Sequence, residues 1–163
     1  GGGAARTYNL PDDTKIFLTS VDVKLHSSCD RLDYPSEKEV GELFHTSITE
    51  ALRNKGVLGG EQAEYSISFV IDYNRIFMGQ GFGVCKNYGN GMVDYRGDLF
   101  RNGVLVAGRA GTNLFLDRGL FGNLKAIGGQ LAGTLDQEAE ITEIRGISEA
   151  IVKDLSRYYV VAE

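Results

Sequence analysis

Apolar and polar positions along the chain recur with two different periods, and the changes of period divide it into elements. From Lys15 to Leu25 apolar residues fall on both parities, Phe17, Val21, Val23 and Leu25 on one and Ile16 and Leu18 on the other. This predicts a first strand buried on both faces near its start. Polar residues occupy His26 to Tyr34, and Pro35 then precedes Ser36-x-x-Glu39. That spacing is a capping box, in which the Ser oxygen and the Glu carboxylate each satisfy an otherwise orphaned N–H. Val40, Leu43, Phe44, Ile48, Ala51 and Leu52 recur at three and four, and Gly56 stands where a left-handed cap would end the helix. A helix over about 36–55 is predicted, its stripe against a sheet.

Tyr65, Ile67, Phe69, Ile71 and Tyr73 then alternate with Glu64, Ser66, Ser68, Val70 and Asp72, a strand with one buried and one wet face. Tyr65 and Tyr73 are expected at the rims of that buried face. Glycine dominates the middle of the chain: 14 of the 22 glycines lie between Gly79 and Gly133, against a usage of about 7% in ordinary domains. Strand character survives among them, with Val93, Tyr95 and Leu99 on one parity and Asp94, Arg96 and Asp98 on the other. Asn102-Gly103 supplies the positive-φ pair of a two-residue hairpin, and Val104 to Leu116 returns as the partner strand. Gly119 to Gly133 reads as a short helix or a loop. Thr134-x-x-Gln137 repeats the capping-box spacing, and Ile141, Ile144, Ile147 or Ser148, Ile151, Leu155 and Tyr158 mark a second amphipathic helix. The order predicts an α+β fold: a two-layer sandwich, with two helices on one face of a mostly antiparallel sheet of about four to five strands. One domain is expected over 13–163, preceded by a flexible tether or tag remnant over 1–12.

Composition narrows the function. Hydrophobic residues make up 42% of the 163 residues and charged ones 24%, so disorder and coiled coil are disfavoured. Seventeen basic against twenty-two acidic residues give a net charge of −5, and no basic stripe is present to displace counterions from phosphates, so nucleic acid is not an expected partner. No apolar run is long enough to span a bilayer, and the first residues lack a signal peptide's charged and apolar regions. Gly1-Gly2-Gly3-Ala4-Ala5 would suit a tether below a lipidated residue.

Cys29 and Cys85 are the two cysteines. They read equally as one disulfide in an oxidising compartment or as two thiols in a reducing one. His26-x-x-Cys29 with His45 and Cys85 offers four ligand types suited to zinc, but structural zinc sites present two tight pairs and one is visible, so no metal is expected. Cys29 activated by His26 would need a third group to orient the imidazole. Gly79-x-Gly81-x-Gly83 lacks both the spacing of a nucleotide loop and a helix behind it, and no cofactor is expected. Asp94, Arg96 and Asp98, with Arg109 on the neighbouring strand, could position a polar ligand; a solvated face of cross-strand pairs explains them as well, and covers Asp72 and Glu64 too. Leu120, Phe121 and Leu124, apolar among glycines, are the candidate contact with a partner protein.

The helix-forming segment after the first strand, the strand Tyr65 to Tyr73, the turn Gly79-Gln80-Gly81-Phe82-Gly83, the run Asp98-Leu99-Phe100-Arg101-Asn102-Gly103-Val104-Leu105-Val106, the segment Gly119-Leu120-Phe121-Gly122 and the C-terminal helix together resemble a family of small bacterial envelope lipoproteins of unassigned function. The resemblance spans about residues 13–160 and consists of element order and glycine placement; the Leu99-Phe100 pair is bulkier than that pattern. Similar folds occur in the amino-terminal domain of TolB and in lipoproteins of curli secretion and exopolysaccharide export, some of which assemble into rings. The resemblance implies a non-enzymatic periplasmic domain, anchored to the outer membrane by an upstream lipid, that contacts other envelope proteins or its own copies. The alternative function is a small-ligand or glycan-binding module built on Asp94, Arg96, Asp98 and Arg109.

Overall fold

The alternating segment that begins at Tyr65 becomes the strand on which the others are laid. A computed structural model describes residues 5–79, 85–115 and 132–161, with side chains from 137 onward in the last stretch. Its elements are β1 (Ile16–Ser27), α1 (Glu37–Lys55), β2 (Tyr65–Phe77), β3 (Tyr88–Arg101), β4 (Val104–Leu114), α2 (Ala132–Lys153), a 3-10 turn (Asp154–Arg157) and β5 (Tyr159–Val160). The strands lie in chain order across one sheet. β1 and β2 are parallel, joined by α1 as the crossover that parallel strands require; every other pair is antiparallel. Val40, Phe44, Ile48 and Leu52 of α1 and Ile144, Ile147 and Ile151 of α2 bury into one core with Ile67, Phe69, Ile71, Val93 and Leu99 of the sheet. The architecture is the expected α+β sandwich, with both helices against one face of a mixed five-stranded sheet.

Local signals act where the sequence places them. Ser36 and Glu39 form both halves of the capping box, and Gly56 closes α1 at φ 79°. Asn102 and Gly103 both take positive φ, 49° and 80°, in a two-residue hairpin between Arg101 and Val104. The opposite parities of β1 are reconciled by a bulge: Leu18 pairs with Ile67 but Ser20 with Ser68, so Thr19 is extra. Ile16 and Leu18 before it, and Val21, Val23 and Leu25 after it, therefore face the same helical layer. β1 is buried on one face, not both. A second irregularity falls at Leu99 and Phe100, which pair with Ala107 and Leu105 and leave Val106 over.

Three further expectations are corrected. Residues 6–12 are not a tether: the Tyr8 amide donates to the Tyr158 carbonyl at 2.7 Å, the Val160 amide to the Arg6 carbonyl at 2.7 Å, and the Tyr8 and Tyr65 hydroxyls meet at 2.8 Å. The second helix begins at Ala132, so Thr134 lies inside it, and it ends before Leu155, which sits in the 3-10 turn. Tyr158 is extended and leads into β5, which pairs with Ala107 and Gly108 of β4. Tyr73, expected at a rim, is fully buried.

Glycine in the middle strands makes room for tyrosine. A Cβ on Gly91 would meet Tyr73 Cε2 at 2.5 Å and both the Tyr73 and Tyr88 hydroxyls at 2.8 Å; one on Gly97 would collide with the Tyr158 hydroxyl and stand 3.0 Å from Phe69 Cε1. The Tyr158 hydroxyl is itself buried with no hydrogen-bond partner among the described residues. Tyr158→Phe is therefore expected to leave stability unchanged or raise it. Gly97→Ala should cost about 1–3 kcal/mol, partly recovered in the Tyr158→Phe background. Denaturant unfolding of the four proteins checks this; additive effects would show that Gly97 and Tyr158 do not share the space.

Candidate functional site

The sequence-derived ligand quartet does not converge. Asp94, Arg96 and Asp98 stand on the sheet face away from the helices, whereas Arg109 pairs with Gly97, whose position faces Tyr158 and Phe69 in the core. The bulge at Val106 sets this parity. Arg109 lies 3.7 Å from Asp154 of the 3-10 turn, and Asp154 also accepts from the Tyr95 hydroxyl at 2.7 Å. Burial raises the Tyr95 phenol, and its bond to the Asp154 carboxylate adds to the rise. On the open face the Asp94 carboxylate accepts the Asn113 amide at 2.8 Å, and Arg96 donates to Asp98 at 3.2 Å. Glu64 pairs with Arg101 at 2.7 Å, half exposed on both sides. His26 contacts Asp72 at 3.2 Å, and pairs of this exposure contribute about 0–1 kcal/mol each.

Cys29 and Cys85 are joined as a disulfide, their Cα atoms 6.1 Å apart. The sulfur of Cys29 is thereby neither a thiolate nucleophile nor a zinc ligand in this structure. The bond links the loop after β1 to the chain just before β3, and Arg31 holds the same two segments by donating to the carbonyls of Cys85 and Lys86 at 3.1 and 2.8 Å and to Asp33 at 2.6 Å. The Arg31 guanidinium also lies 5.1 Å from the Tyr34 ring centre, and Tyr34 packs edge-on against Phe77 at 4.9 Å. Leu120, Phe121 and Leu124, the candidate partner contact, lie outside the described residues, as do positions 80–84 of the glycine turn.

The densest polar arrangement was not singled out from the sequence. Arg75, at an inward position of β2, forks onto Glu140 of α2, Nε to Oε2 at 2.6 Å and Nη2 to Oε1 at 3.1 Å, and also donates to the Pro35 carbonyl at 2.8 Å. The Tyr73 hydroxyl donates to Glu140 at 2.7 Å and meets the Tyr88 hydroxyl at 3.1 Å; the Tyr88 hydroxyl is in turn hydrogen-bonded to a Glu143 carboxyl oxygen. Arg75 is 4% exposed and both glutamates 0%. Burial raises the Tyr73 and Tyr88 phenols well above their ordinary value, and neighbouring negative charge adds to it. Such a cluster can hold a proton and fix two elements to each other. Grooves of about 460 Å³, beside Tyr8 and Lys55, and about 420 Å³, between α1 and α2, lie elsewhere. No helix among the described residues is long and apolar enough to cross a membrane.

No family model matches the chain, and no curated protein matches it. Among solved structures it is similar to a PelC dodecamer from Paraburkholderia phytofirmans that carries a leucine-to-methionine substitution. The two share 13% identity over 94% of this chain and 96% of that one, with a TM-score of 0.38. At that level no function is transferred, and the residues themselves must carry the reading.

Because Glu140 is buried against Arg75, removing the cation alone strands a charge. Arg75→Met is expected to cost about 3–5 kcal/mol, and the pair Arg75→Met with Glu140→Leu distinctly less. Chemical denaturation of both variants measures it; equal losses would mean that the pair is not coupled.

Proposed function

We propose that the chain is a non-enzymatic domain of the bacterial cell envelope, located in the periplasm and working by contact with other proteins, further copies of itself included. The observation that carries this reading is the Cys29–Cys85 disulfide, since such bonds persist in oxidising compartments and are rare in a reducing cytosol. Two features support it. Four interior groups able to do acid–base chemistry, Glu140, Glu143, Tyr73 and Tyr88, are bonded to one another. The four residues offered as a ligand site are split between opposite faces of the sheet. An upstream lipid, as the family resemblance implies, would anchor the domain to the outer membrane. Leu120, Phe121 and Leu124 are the proposed contact, on the composition of their segment.

Thiol titration of the non-reduced, denatured protein is expected to find no free thiol, and reduction to lower stability by about 4 kcal/mol for a closed loop of this length. Two titratable thiols would remove the oxidising-compartment reading. Replacing Leu120, Phe121 and Leu124 together by Ser should leave the melting temperature nearly unchanged while weakening association in sedimentation velocity. A large fall in melting temperature would place those side chains in the core instead.

A further inference from the structure

The buried polar chain that ends at Glu143 is one proton short. Glu140 and Glu143, nearly one turn apart on α2, are both inaccessible to solvent, and Arg75 is the cation bonded to one of them. Among the described residues, two carboxylates against one guanidinium leave one negative charge uncompensated in the interior, which is costly. The hydrogen count points the same way. Three oxygen–oxygen contacts join the glutamates, Glu140 to Tyr73, Tyr73 to Tyr88 and Tyr88 to Glu143. Each needs one hydrogen, and the two hydroxyls supply two. A third hydrogen on Glu143 completes the run: Glu143 donates to Tyr88, Tyr88 to Tyr73, and Tyr73 to Glu140. Glu140 is the carboxylate whose two oxygens both hold Arg75. Glu143 is the one that takes the proton, since its Oε1 is buried with no hydrogen-bond partner among the described residues.

We propose that Glu143 holds a proton in the folded protein and that losing it, as pH rises through neutrality, loosens the N-terminal half of α2 from β3. Burial pushes the Glu143 carboxyl up to about 7, with Glu140 adding to the rise and the Tyr88 hydroxyl and Gly91 amide opposing it. The groups around it are Tyr88 from β3, Tyr73 and Arg75 from β2 and Glu140 from its own helix. From α1, Glu39 and Glu42 line the groove that Arg145 shares. Arg75, the guanidinium in this set that could favour a charged Glu143, is already engaged by Glu140 and the Pro35 carbonyl. The sign is opposite to that of an ordinary paired carboxylate. A carboxyl raised in the folded state stabilises fully below its unfolded value of 4.5 and loses that contribution as pH climbs to about 7. The switch stands on the buried geometry and is independent of the proposed envelope role.

The test tracks the Glu143 carboxyl carbon by NMR in the wild-type protein, alongside thermal unfolding of wild type and Glu143→Gln and amide exchange along α2. The expected midpoint is near 7. Across about pH 5 to 8 the wild type should lose roughly 5 °C or more relative to Glu143→Gln. Exchange in Glu140–Ile144 and Tyr88–Val93, corrected for its intrinsic pH dependence, should quicken over the same interval in the wild type alone. A midpoint below about 5, parallel profiles for the two proteins, or unchanged exchange in α2 would each overturn the proposal. Should Glu143→Gln fail to fold, the carboxyl titration and the exchange of the wild type decide it.

Discussion

α2 brings two carboxylates down onto a sheet, and the fold depends on what the sheet offers them. A stripe of isoleucines can slide along an apolar surface with little loss, because the hydrophobic effect has no direction. A carboxylate gripped by both ends of a guanidinium has one position. Arg75 therefore fixes where α2 sits along β2, and its third donor, to the Pro35 carbonyl, fixes the start of α1 at the same point. The tyrosines that extend the network are long, and their rings occupy space over β3. Gly91 is the consequence: a side chain there would strike the Tyr73 ring and both hydroxyls. Much of the glycine richness that looks like looseness in the sequence is, at Gly91 and Gly97, the packing complement of tyrosine.

A covalent tie reinforces the same end of the molecule. Cys29, Tyr34, Phe77 and Tyr88 form a second small core beside the main one, with Cys85 and Ala139 packed against it. Tyr88 belongs to both the polar chain and this core, and with Ala139 and the Gln137 amide, which donates to the Asp33 carbonyl, it ties the disulfide loop to the N-terminal half of α2. The opposite end is closed differently, by the Asn102-Gly103 hairpin and by the pairing of residues 6–8 with β5. The buried carboxyls Glu140 and Glu143 lie at the first end.

Much of this was legible in the sequence where a short-range rule applied. The capping box of α1, its glycine stop, the alternation of β2 and the hairpin turn each depend on residues within a few positions of one another. Two of the failures are failures of parity. One inserted residue in a strand reverses which side every later residue faces, and bulges at Thr19 and Val106 undid the reading of β1 and of Arg109. The polar network left a signal that periodicity contains. Continuing the alternation of β2 past Tyr73 puts Arg75 inside, and Glu140 and Glu143 fall on the stripe of Ile144, Ile147 and Ile151 at three, four and seven. Charged residues on two buried faces implied a pair, but which carboxylate meets the arginine depends on tertiary register. Tyr159–Val160 were missed as a strand because two residues carry no period.

The uncovered face of the sheet carries the exposed charges in rows set by strand register. Register places Asp22, Val70, Arg96 and Ala110 in one row, and Lys24, Asp72 and Asp94 in the next. Asp72 thus neighbours Lys24, His26 and Asp94 on this face. Toward the hairpin the row becomes Phe17, Ser66, Phe100 and Leu105, and Val104 and Leu105 remain exposed beside it. The face thus grades from mixed charge across β1, β2 and β3 to apolar side chains at the hairpin edge, a gradient that follows from strand register and not from any one residue.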